Sequence, residues 1–129
     1  MTDGYVARAL DAMKADPARR WTVSALARVC GLSRAAFARR FTRALGVSPL
    51  RWLTEHRLRL AQERLRETDL TLAAIAAELG YTSEFAFAKA FKRLFGIAPG
   101  LFRRRVALFH PRITSIPALR ATQAFRAAA

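Results

Sequence analysis

The sequence predicts an all-α fold, with two homeodomain-like helix-turn-helix lobes (about seven helices) joined by a long linker helix. Three observations lead there. The chain repeats itself, each copy carries the signals of two short helices around a tight turn, and a proline-led amphipathic stretch separates the copies.

The repeat comes first because it organises the rest. Residues 21–32 align with 70–81 at an offset of 49, and after one inserted residue, Thr82, residues 33–49 align with 83–99 at an offset of 50. Identities include Thr22/Thr71, Ala27/Ala76, Gly31/Gly80, Ser33/Ser83, Phe37/Phe87, Phe41/Phe91, Arg43/Arg93, Gly46/Gly96 and Pro49/Pro99. Before the first copy, Tyr5, Val6, Ala9, Leu10 and Met13 fit one amphipathic helix that ends ahead of Pro17 and packs on the first lobe.

Within each copy, Thr22 and Thr71 can cap a short helix by accepting from its free amides. Its apolar positions are Val23, Leu26, Ala27 and Cys30, then Leu72, Ile75, Ala76 and Leu79. Gly31 and Gly80 stand where that helix must end in a left-handed residue. Ser33 and Ser83 then cap a second helix, with Phe37, Phe41 and Leu45, or Phe87, Phe91 and Phe95, on one face. Helix, tight turn, helix is the unit whose second helix can enter a major groove; a generic helical hairpin is the plainer alternative.

Between the copies, Ser48 and Pro49 open a helix running to about Glu67. Trp52, Leu53, Leu58, Ala61 and Leu65 can face the lobes, and Glu55, Arg59, Glu63 and Arg66 the solvent. Roughly 19 residues span about 28 Å, against about 34 Å for one turn of B-DNA. The predicted organisation is a first lobe at 1–48, a linker helix at 49–68, a second lobe at 69–105 and a basic tail at 106–129.

Charge follows the repeat. Lysine and arginine number 23 against 9 acids, a formal +14. No acid falls between Pro17 and Thr54, nor after Glu84. Two basic blocks around a mixed segment suggest a polyanion touched twice. A merely arginine-rich soluble protein is the alternative. A lone Cys30 excludes an internal disulfide framework and fits a reducing cytosol. Met1-Thr2-Asp3-Gly4 lacks the order of a signal peptide, and no apolar run nears the roughly 18 residues that cross a bilayer.

The residues Ser33-Arg-Ala-Ala-Phe37-Ala-Arg39-Arg-Phe41, Gly46-Val-Ser-Pro49 and Arg57-Leu58 with Ala61 resemble the DNA-binding domain of the AraC/XylS family. So do Ile75-Ala76, Gly80-Tyr81, Ser83, Phe87, Phe91-Lys92-Arg93, Phe95-Gly96-Ile97-Ala98-Pro99 and Phe102-Arg103. The resemblance covers about residues 5 to 105. It implies seven helices, two lobes on a long helix, and activation or repression of bacterial promoters. It departs at Lys89, where the family often has arginine, and at Phe102, in place of a tyrosine. Lysine lacks the planar fork that grips guanine O6 and N7 together.

Arg34, Ala35, Ala38 and Arg39 in the first reading helix, and Glu84, Phe85, Ala86 and Lys89 in the second, are the candidate base readers. Arg39 is either a base reader or a phosphate contact, and Arg34 equally so. Ala35 and Ala38 offer only methyl contacts. Glu84 either accepts from cytosine N4 or is a helix-start carboxylate. Phe85 either presses on a thymine methyl or is buried between lobe and linker. Arg40, Arg43, Lys92 and Arg93 are candidate phosphate clamps, as are Thr22, Ser33, Thr71 and Ser83 at helix starts. Trp21, Trp52 and Tyr81 are expected in the core.

His56 and His110 stand alone, without zinc-ligand spacing, so neither metal nor cofactor is expected. No GxSxG, phosphate loop or paired carboxylates suggest catalysis. The leading function is therefore a sequence-specific transcriptional regulator of double-stranded promoter DNA, not an enzyme, acting in the cytoplasm at the nucleoid without a membrane partner. RNA polymerase is the expected protein partner. A non-specific architectural or RNA-binding protein is the competing class. Two reading helices in one chain predict a monomer on DNA, with dimerisation left to a separate sensor domain. The chain reads as a short stand-alone regulator or as part of a longer one.

Overall fold

In the computed structural model, residues 3–109 are described, and these form seven helices and no strand. They are α1 (Gly4–Ala15), α2 (Val23–Cys30), α3 (Arg34–Leu45), α4 (Pro49–Glu67), α5 (Leu72–Glu78), α6 (Glu84–Phe95) and α7 (Pro99–Phe109). Val106–Phe109, at the head of the expected basic tail, continue α7. The rest of that tail lies outside the described residues.

The helix starts follow the capping chemistry. Thr22 Oγ1 accepts from Ala25 N at 3.0 Å and Ser33 Oγ from Ala36 N at 3.2 Å. Thr71 and Ser83 repeat this with Ala74 N and Ala86 N, both at 3.0 Å. Each such cap contributes about 1 kcal/mol. Asp3, which no periodicity or repeat marks out, caps α1 by accepting from Tyr5 N and Val6 N.

Both tight turns rest on a left-handed glycine. Gly31 has φ +74° and Leu32 N donates back to Ala27 O at 3.0 Å. Gly80 has φ +87° and Tyr81 N donates to Ala76 O at 2.9 Å. A side chain at either position would be strained, because its Cβ crowds the backbone in that conformation.

The chain divides into two compact units between Arg57 and Leu58. In the first, α1 packs on α2 and α3 around Val6, Ala9, Met13, Leu26, Cys30, Phe37, Phe41 and Leu53. Trp21 is buried and Trp52 half-buried against this core. In the second, Leu58, Ala61 and Leu65 of α4 join Ile75, Ala76, Leu79, Phe87 and Phe91, with Tyr81 half-buried beside them.

Val6, Ala9 and Met13 match Leu58, Ala61 and Leu65 at a constant offset of 52. The end of α4 therefore does for the second lobe what α1 does for the first. The two helices share this i, i+3, i+7 burial pattern, with Ala9 and Ala61 as the one identity within it.

Candidate nucleic-acid interface

In α3 the buried side chains are Phe37 and Phe41; in α6 they are Phe87 and Phe91. At 100° per residue, Ala35, Arg39, Thr42 and Arg43 fall opposite the first pair, and Phe85, Lys89, Lys92 and Arg93 opposite the second. All eight are exposed. Ala38 and Ala86 flank these stripes and are half-buried, while Arg34 and Glu84 are exposed at the helix starts. Ala38, Arg39, Thr42 and Arg43 line a shallow hollow on the outer surface of α3. The four capping residues Thr22, Ser33, Thr71 and Ser83 are exposed too. Each lobe thus presents one helix face of cations and small or apolar groups, away from its own core.

Arg34 is set against its own helix. A cation in the first turn meets the positive end of the helix dipole, which costs roughly 0.3–1 kcal/mol at an exposed site. The aligned residue in α6, Glu84, takes the favourable sign. Arg43, Lys92 and Arg93 sit in last turns, where the dipole welcomes cations. Arg34 thus leaves an exposed cation at the start of α3.

Not every arginine faces outward. Arg40 Nε donates to Asp3 Oδ2 at 2.9 Å, and its guanidinium lies 4.8 Å from the centre of the Tyr5 ring. That hydrogen bond holds the Asp3 carboxyl below the ordinary carboxylate range, so the pair is intact at neutral pH. Arg40 stays exposed, but one edge of it is engaged within the protein.

Arg57 is tied more firmly, donating to Pro17 O at 2.6 Å and Arg19 O at 2.8 Å, just ahead of α2. Arg103 does the same ahead of α5, donating to Leu70 O at 2.6 Å, Thr68 O at 3.2 Å and Leu65 O at 3.3 Å. Arg64 Nε donates to Glu78 Oε1 at 2.7 Å, with its side chain only 11% exposed. These arginines fasten loops and helices. Sequence patterns miss the roles of Arg57 and Arg103, since a backbone carbonyl acceptor carries no side-chain signature.

Phe85 is 77% exposed, which removes burial as its role within the lobe. Cys30 is buried, its thiol donating to Tyr5 O at 3.0 Å, and burial pushes its pKa up. It is a core group, far from thiolate chemistry at neutral pH. Among the described residues, no three His, Cys, Asp or Glu side chains group to hold a metal.

Residues 26–105 match the family model described as a helix-turn-helix domain. A protein of Streptomyces lividans described as an AraC-like transcription regulator is 46% identical over 104 residues, covering 81% of this chain and 34% of its own length. The chain belongs to the AraC family of transcription regulators. Over 100 residues it is 42% identical to the regulator AlkR of Acinetobacter baylyi, covering 78% of this chain and 33% of that one.

The DNA-binding domain of AdpA, solved in complex with a target DNA, superposes with a TM-score of 0.80 at 28% identity, covering 84% of this chain and 98% of that one. This AraC-type domain spans about a third of the length of the curated relatives it matches. No helix among its described residues is long and apolar enough to cross a membrane.

Proposed function

We propose that this AraC-type domain binds double-stranded promoter DNA sequence-specifically, with α3 and α6 entering two successive major grooves on one face of the duplex. The observation that carries this reading is the pair of outward stripes on α3 and α6, each holding cations opposite a phenylalanine core face. Arg34 and Arg39 hydrogen-bond base edges for the first lobe, and Ala35 and Ala38 supply methyl contacts. Glu84, Ala86 and Lys89 face bases for the second. Arg43, Lys92, Arg93 and the free amides beside Thr22, Ser33 and Ser83 hold phosphates, as does the exposed edge of Arg40.

The working division is a lobe at 1–48, a linker helix at 49–68 and a lobe at 69–105. RNA polymerase is the proposed protein partner at the promoter, and the cytoplasmic nucleoid the place of action.

The test is a binding-site selection followed by substitution. Arg39→Ala is expected to cost about 1–3 kcal/mol on the selected site and to relax the choice at one base. Lys89→Ala is expected to weaken all sequences more evenly, because lysine is a point charge. A strong change in one base preference with Lys89→Ala and none with Arg39→Ala would reverse the assignment. The formal charge of +14 favours non-specific binding as the second reading; a selection that enriches no sequence would establish it.

A further inference from the structure

The two reading helices differ most in their first turn. At the aligned positions α3 begins Arg34-Ala35 and α6 begins Glu84-Phe85, all four exposed. A carboxylate beside a bare phenyl ring is the wrong chemistry for phosphates, since the first is repelled by them and the second gains nothing from them. Base edges offer both groups a partner. In the major groove cytosine presents its N4 amino donor, and the apolar group there is the C5-methyl of thymine.

Phe85 lies one helical turn before Lys89 on the stripe opposite Phe87 and Phe91. A ring at that position leads into any groove that the Lys89 face enters. Leu94, the other exposed large apolar residue of α6, is 39% exposed against 77% for Phe85, and stands near the end of the helix.

Resting on the promoter reading above, we infer that the first turn of α6 recognises pyrimidine edges, with Phe85 as a specificity-determining contact to a C5-methyl group, that of thymine or of 5-methylcytosine. Glu84 accepts from a neighbouring cytosine amino group. The half-site under α6 is therefore pyrimidine-rich on the contacted strand and sensitive to single methyl groups. The half-site under α3 is read chiefly by the hydrogen bonds of Arg34 and Arg39, with Ala35 and Ala38 too short to add more than minor methyl contacts. This difference gives an asymmetric site a built-in direction.

The experiment scans the selected duplex with deoxyuridine, replacing one thymine at a time across the α6 half-site and following affinity by fluorescence anisotropy at fixed salt. Wild-type protein is expected to bind about fourfold more weakly when the contacted thymine loses its methyl, the equivalent of about 0.8 kcal/mol for one methyl group. At a contacted cytosine, 5-methylation is expected to strengthen binding. Phe85→Ala is expected to bind the thymine site more weakly and to lose its sensitivity to uracil, and Phe85→Leu to keep part of it.

Because Phe85 is exposed, circular dichroism should be unchanged in both variants. The scan on wild type needs neither. An enriched site with no uracil penalty anywhere under α6 overturns the inference and leaves the promoter reading standing. The same uracil penalty in Phe85→Ala also overturns it, as does full DNA affinity in that variant, which would assign the ring to a protein partner. A selection that enriches no site overturns the promoter reading and this inference together.

Discussion

Replacing Arg103 by alanine is expected to lower the stability of the second lobe by about 3 kcal/mol and to reduce DNA binding through partial unfolding. Its guanidinium satisfies carbonyls of Leu65, Thr68 and Leu70, where α4 ends and the chain turns into α5. Hydrogen bonds to a charged donor are worth about 1.5–3 kcal/mol each, but they are not additive, and water reaches part of this site. A domain is stable by only about 5–15 kcal/mol, so the loss is large.

Lysine should recover little, because its single ammonium cannot span acceptors that the planar fork meets together. Arg105→Ala, two residues on and exposed, is expected to stay within about 0.5 kcal/mol of wild type. Urea melts followed by helicity would check both. Equal effects of Arg103→Ala and Arg105→Ala would show that the carbonyl contacts contribute nothing.

A proline at Arg59 is expected to be the most damaging exposed substitution for DNA binding. Residue 59 is mid-way along α4, which supplies Leu53 to the first core and Leu58, Ala61 and Leu65 to the second. Proline removes an amide from the helix and clashes with the preceding turn, at about 3 kcal/mol or more. If α4 sets the spacing of two reading helices, its loss forfeits the gain from tethered binding, which reaches about 10²–10⁴-fold. Affinity for the two-lobed site should then fall by about 10²-fold, leaving weak, salt-sensitive binding. Arg59→Ala keeps the helix and isolates the side chain's own share. A folded proline variant that binds like Arg59→Ala would show that α4 is not the ruler.

Most of the fold was legible because its signals are local. Threonine or serine at the starts of α2, α3, α5 and α6, glycine at each tight turn and phenylalanines four apart bind their meaning to sequence spacing alone. The outward stripes of α3 and α6 follow from the phenylalanine faces, so helical periodicity by itself places Arg39 and Lys89 on the surface. What stayed hidden is long-range. Asp3 reaches Arg40 across 37 residues, and Arg57 and Arg103 reach carbonyls 33 to 40 residues away. Arg57 and Arg103 are among the residues that carry the family resemblance, yet nothing in the sequence says that backbone carbonyls are what they hold. Phe85 was ambiguous for another reason, since an apolar residue fits a core or a thymine methyl equally until its exposure is known.

Hydroxyl-radical footprinting of the 129-residue chain on its selected duplex, with the stoichiometry measured by sedimentation, tests the central claim most directly. A single chain should protect two backbone segments about 10 base pairs apart on the same face of a site of about 20 base pairs. The selected site should be preferred over competitor DNA by about 10³-fold or more. An obligatory pair of chains on one such site, or uniform protection with no preference over competitor, would contradict it.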